Sequence, residues 1–200
     1  HALTGCWLAE IAAKVSQEPS LAALGGVMQR LLPLWHGDVL FDMKGSRELG
    51  AVLTSCFDRA LWIFEGIQGQ DAALDEGHVG AIVAIRELVR HGPPEVAAMH
   101  ARAHAVCERR VVDPEPPPAR RGAALGLLWS TRPDDADEQR AVSVLKASAR
   151  AATVGDFLAG LFMLAREEVM RSSDLLGAID TALTTMVRDE FMIALPAVRQ

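Results

Sequence analysis

Apolar positions along the chain recur with the period of a helix and almost nowhere with the alternation of a strand. The clearest case is Ser46 to Glu65. Leu49, Val52, Leu53, Cys56, Phe57, Ala60, Leu61 and Phe64 fall at i, i+3, i+4, i+7, i+8, i+11, i+12 and i+15, one continuous stripe on a 3.6-residue helix. Ser46 is placed to accept an early amide as a cap, and Gly66 and Gly69 punctuate the end. Val79, Ile82, Val83, Arg86 and Val89 mark a second helix over Glu76 to His91. Gly92-Pro93-Pro94 stops it, because proline has no N–H and disfavours helix in the residue before it. Pro94 then suits the first turn of a helix over Glu95 to Arg110.

The rest reads the same way. Leu3 to Gln17 and Ser20 to Leu34 form a helical pair split by Pro19. His36 to Gly45 is the one place for a short strand or an irregular loop. After Asp113-Pro114-Glu115-Pro116-Pro117-Pro118 come a helix over Arg121 to Ser130 and a turn at Arg132-Pro133-Asp134. Asp135 with Glu138 and Thr153 with Asp156 have the spacing of capping boxes opening two more helices, the first running to about Ala151. Ser173 is placed to cap a helix carrying Leu176, Ile179, Leu183 and Met186, and Asp189 to start a last one through Phe191 and Leu195. The expected fold is all-α: nine or ten antiparallel helices in a solenoid-like or bundle-like stack of helical hairpins. Gly80 to Val89 and Gly160 to Val169 share the spacing G-x5-R-E-x-V, a hint of a repeated helical unit. A single helical domain over 1–200, with a Pro-rich surface crossover at 111–121, accounts for the pattern better than two small domains. His1 in place of Met, and a helical pattern still running at Phe191 to Arg199, are what a fragment of a larger protein shows.

Composition narrows the function classes. The 200 residues are 50% hydrophobic with a net charge of −6, which excludes a disordered chain. The mildly acidic balance argues against a nucleic-acid surface or a polybasic membrane anchor. The longest apolar run, Phe157 to Ala165, is far short of the ~20 residues of a membrane-spanning helix. Cys6, Cys56 and Cys107 are too few and too scattered for a disulfide framework. They suit a reduced, cytoplasmic protein with buried thiols.

The sharpest constellation of chemistry-bearing residues is His100, His104 and Cys107. Spacings of four and three put them on one helix face, and imidazole and thiolate are zinc ligands. His91 could join only if the chain folds back. No Glu stands inside the His-x3-His, so the general base of a zincin is missing. A partly exposed polar face is the simpler reading, with a metal-binding domain or metal-dependent enzyme as the alternative. Paired carboxylates with separated roles, a nucleophile elbow and a phosphate loop are all absent, and no cofactor is expected. Arg120 and Arg121, beside the proline crossover, and Trp35 and Trp129 are candidate partner anchors, although helix-end charge and core packing are the default account of them. A small-molecule pocket lined by Phe, Met and Trp is a further option.

The segment Phe157-Leu158-Ala159-Gly160-Leu161-Phe162-Met163-Leu164-Ala165-Arg166-Glu167-Glu168-Val169, with Leu175-Leu176, Asp189-Glu190-Phe191 and Ala194-Leu195-Pro196-Ala197-Val198-Arg199, resembles the C-terminal helical region of a large uncharacterised bacterial family. Its members are encoded beside MoxR-type AAA ATPases and von Willebrand factor A-domain proteins. The resemblance is firm over residues 150–200 and loose before them. Its motifs are packing motifs, so it assigns no catalytic residue. It implies a cytoplasmic helical module of a chaperone-like ATPase system, with such an ATPase, an A-domain protein or another domain of the same chain as partner. The expectation is therefore a non-catalytic interaction or scaffold module.

Overall fold

The computed structural model describes residues 2–37, 44–66, 76–113, 117–132, 135–148, 150–189 and 192. Among them it has ten helices and no strand: α1 (Ala2–Val15), α2 (Leu21–Gly37), α3 (Arg47–Gly66), α4 (Glu76–His91), α5 (Pro94–Ala97), α6 (His100–Val112), α7 (Pro118–Thr131), α8 (Asp135–Ser148), α9 (Ala151–Arg171) and α10 (Ser173–Thr184). The protein is all-α, as its periodicity requires. The helices gather in two compact units. One holds α1 to α5 and the first turn of α6; the other holds the rest of α6 and α7 to α10. The change of unit falls inside α6, between Ala103 and His104, upstream of the proline crossover where a boundary is legible in the sequence. Pro114 to Pro116 lie outside the described residues.

In the first unit, α3 carries the core. All eight residues of its apolar stripe, from Leu49 to Phe64, are buried. Removing its leucine, valine and phenylalanine side chains from water contributes roughly 2 kcal/mol each. The close crossing, however, joins α2 to α4. A Cβ on Gly25 would sit 2.6 Å from Ala81 Cα, so only glycine lets these two backbones meet. Gln29 Nε2, one turn on, donates to the Gly80 carbonyl at 3.1 Å.

The second unit repeats this arrangement more tightly. A Cβ on Gly122 would fall 2.0 Å from Phe157 O, one on Gly160 1.9 Å from Ala119 O, and one on Gly126 2.8 Å from Leu164 Cβ. Helices with ordinary side chains pack 8–10 Å apart; three glycines bring α7 and α9 to backbone contact. In both units the tightest partners are alternate helices, and they run parallel: Gly122 meets Phe157 and Gly126 meets Leu164. The stacking of consecutive hairpin arms is secondary to it.

Structure and sequence together make the repeat stronger than G-x5-R-E-x-V alone. The tetrapeptide Ala-Ala-Leu-Gly occurs at 22–25 on α2 and at 123–126 on α7. Its glycine faces Ala81 in one unit and the Leu161–Leu164 turn in the other. Ala81 and Leu161 each follow the first glycine of the shared spacing. The last turns match as well: Glu87 lies 4.0 Å from His91, and Glu167 lies 3.2 Å from Arg171.

Several expected boundaries move. The helix expected over Glu95 to Arg110 is broken by i→i−3 bonds (Val96 N to Pro93 O, Met99 N to Val96 O) into α5 and α6. Helix α7 starts at Pro118 rather than Arg121, because proline at the first helical position loses no hydrogen bond. Thr153 is not a cap: α9 opens on Arg150, and the Thr153 amide donates to the Arg150 carbonyl. Ser172, not Ser173, caps α10, accepting from Leu175 N at 3.0 Å. Its hydroxyl donates in turn to Glu138 of α8. The turn at Pro133-Asp134, most of the loop or strand over 36–45, and the last helix through Phe191 and Leu195 lie outside the described residues.

Candidate functional site

Two helices that cross closely at one end diverge at the other. Beyond Gly25 and Ala81, α2 and α4 enclose a cavity of about 300 Å³ that opens to solvent. Met28, Leu32, Pro33, Val83 and Ala84 form an apolar floor; Gln29, His36, Glu87 and His91 supply the polar groups. Pro33 lies inside α2. Lacking an N–H, it removes the helical donor to the carbonyl four residues back, that of Gln29. His36 and His91 belong to the last turns of α2 and α4. Their rings meet edge to face at 6.2 Å, and Trp35 packs edgewise on His36 at 5.1 Å. Glu87 Oε1 accepts from Arg86 Nε at 2.9 Å and pairs with NH2 at 2.7 Å. Glu87 Oε2 faces His91 Nε2 at 4.0 Å, beyond hydrogen-bonding distance.

Counted from the shared Ala-Ala-Leu-Gly, Trp129 stands where Met28 stands, and Trp129 is buried. A second hollow of about 700 Å³ runs between α8 and α10, past Lys146, Asp174, Thr181 and Thr185.

The residues singled out in the sequence are dispersed. His104 Nε2 is 3.0 Å from Thr131 Oγ1 of α7. Cys107 is fully buried, and that burial, with Glu108 beside it, pushes its thiol up to about 12. His100, at the start of α6, is held below the usual histidine range by burial. Among the described residues no three His, Cys, Asp or Glu side chains gather as a metal site. His91, offered as a fourth ligand, meets His36 instead. Trp129 and Arg120 are both buried and so are not surface anchors. Arg121 Nε and NH2 donate to the Val111 carbonyl at 3.3 and 3.2 Å, tying α7 to the end of α6. Trp35 is half-buried beside Gly50 and Pro93. The exposed tryptophans are Trp7 (49%) and Trp62 (59%), the latter under the Arg59 guanidinium at 4.6 Å.

Sequence reasoning missed the α2–α4 cavity. His36 falls at the edge of the stretch read as loop or strand, and 55 residues separate it from His91. The mid-helix proline and the two helix-end histidines were the local signals.

Comparison with known proteins gives one informative likeness. The chain is 28% identical over 195 residues to the uncharacterized protein YehM of Escherichia coli (strain K12), covering 96% of this chain and 26% of that protein. The chain thus spans about a quarter of the length of the curated relative it matches. No family model matches it, and no solved structure matches it. No helix among the described residues is long and apolar enough to cross a membrane. The protein is an all-α chain similar to an uncharacterized bacterial protein about four times as long.

Proposed function

We propose that the chain is a non-catalytic helical interaction module within a bacterial MoxR ATPase-associated system, acting in the cytoplasm. The observation that carries the interaction reading is a pair of exposed methionines on α9, one on each side of its kink at Ala165. Met163 is 43% exposed and Met170, two turns on, is 64% exposed; Leu176 of α10 is exposed too. Exposed methionines form soft, adaptable contact surfaces for protein partners. The dispersal of reactive groups supports the non-catalytic part. Among the described residues the groups whose protonation departs from the ordinary are Glu48, Cys56, His100, Cys107, Arg121 and Asp156, and none of them lines either hollow. The partner rests on the resemblance of the segment from Phe157 onward to a family encoded beside MoxR-type ATPases and von Willebrand factor A-domain proteins.

The test is a pull-down of the cognate MoxR-type ATPase and A-domain protein with the intact chain. A Met163→Glu/Met170→Glu variant that still unfolds cooperatively should lose the partner. Capture of neither protein, or capture indifferent to the double variant, would refute this reading of the α9 methionines.

A further inference from the structure

We infer that the α2–α4 cavity is a binding site for a small amphipathic ammonium compound, an apolar body carrying one protonated amine. About 300 Å³ with an apolar floor is the size and character of a small-molecule site. The ends of the two helices then select the charge.

With Gly25 against Ala81 and His36 against His91, α2 and α4 run parallel in a register that sets Leu32 level with Glu87. Both C-termini therefore lie at the same end of the cavity, each presenting the negative pole of a helix. A protonated amine has three N–H donors and no acceptor, so a half-buried one needs several acceptors. The cavity lining offers them: Glu87 Oε2, since Arg86 engages Oε1, and the ring nitrogens of His36 and His91. A carboxylate ligand would meet Glu87 and two helix C-termini and be repelled. Trp129, a larger side chain, stands at the position of Met28 in the second unit and is buried there.

Three probes share a phenethyl body and differ in charge: 2-phenylethylammonium, 2-phenylethanol and 3-phenylpropionate. Binding to the intact chain is read by calorimetry and by the Met28 methyl signal in NMR. The ammonium should bind saturably and at least about tenfold more tightly than the alcohol, with the carboxylate weaker still. Glu87→Gln should erase about tenfold of that preference, and Met28→Trp should abolish binding while retaining the helical circular dichroism spectrum. If Met28→Trp fails to fold, Glu87→Gln decides. The absence of a saturable Met28 shift at about 10 mM ammonium, equal binding of alcohol and ammonium, or an unchanged affinity in Glu87→Gln would overturn the assignment.

Discussion

Gly122 of α7 lies so close to Phe157 of α9 that a methyl group on the glycine would stand 2.0 Å from the phenylalanine carbonyl oxygen. The obstacle is backbone, so no rotamer change can relieve it. Gly122→Ala should destabilise the second unit by about 3 kcal/mol, the upper part of the overpacking range. Gly26→Ala is the control, because nothing lies within 4 Å of its would-be Cβ. Gly26 is inside α2, so that substitution should stabilise by about 0.5–1 kcal/mol. Urea unfolding of both variants checks the contrast.

The buried thiols set an alkaline limit. Burial pushes Cys56 and Cys107 to about 12, against an ordinary value of 9.0. The folded state keeps these protons after the unfolded chain has lost them. Their contribution to stability is therefore intact below pH 9 and declines as pH rises from 9 towards 12. Cys56→Ala/Cys107→Ala should flatten the fall in stability over that window, measured by denaturant midpoints at pH 8, 9 and 10. In a Cys6→Ser background, neither thiol should react with a disulfide reagent at pH 8 until denaturant is added.

A cobalt titration tests the metal alternative on α6. Ligation at Cys107 needs a thiolate, and the His104 ring is engaged with Thr131. Cobalt(II) added to the intact chain should give no thiolate charge-transfer band, and His104→Ala should leave the spectrum unchanged. A stoichiometric band lost in His104→Ala would restore His100, His104 and Cys107 as a site.

Ser172 joins two helices. It caps α10 through Leu175 N and donates to Glu138 on α8. Ser172→Ala should cost about 1 kcal/mol for the cap, with faster amide exchange at Leu175. Ser172→Asp, which preserves a cap but faces Glu138 with a like charge, should not restore full stability.

Helix positions were legible because burying one side of a helix leaves a period in the sequence. The stripe from Leu49 to Phe64 was readable residue by residue, and every member is buried. Capping residues were harder to place. Ser172 and Ser173 are equivalent as letters, and only the turn joining α9 to α10 decides which hydroxyl meets an amide. Trp35 and Trp129 looked alike as candidate anchors, yet the outward-facing tryptophans are Trp7 and Trp62. A large side chain near a helix end carries no mark of which neighbour covers it.

By itself the sequence determined that the chain is helical, where most helices begin and stop, and that its glycines and an echo of G-x5-R-E-x-V recur. Those are local properties, set by backbone propensity and by the angle between successive side chains. The packing of distant segments settled the rest: that α2 lies parallel on α4, that Met28 lines a cavity, and that His36 and His91 share a rim. These depend on contacts between segments 50 or more residues apart, for which no local period exists.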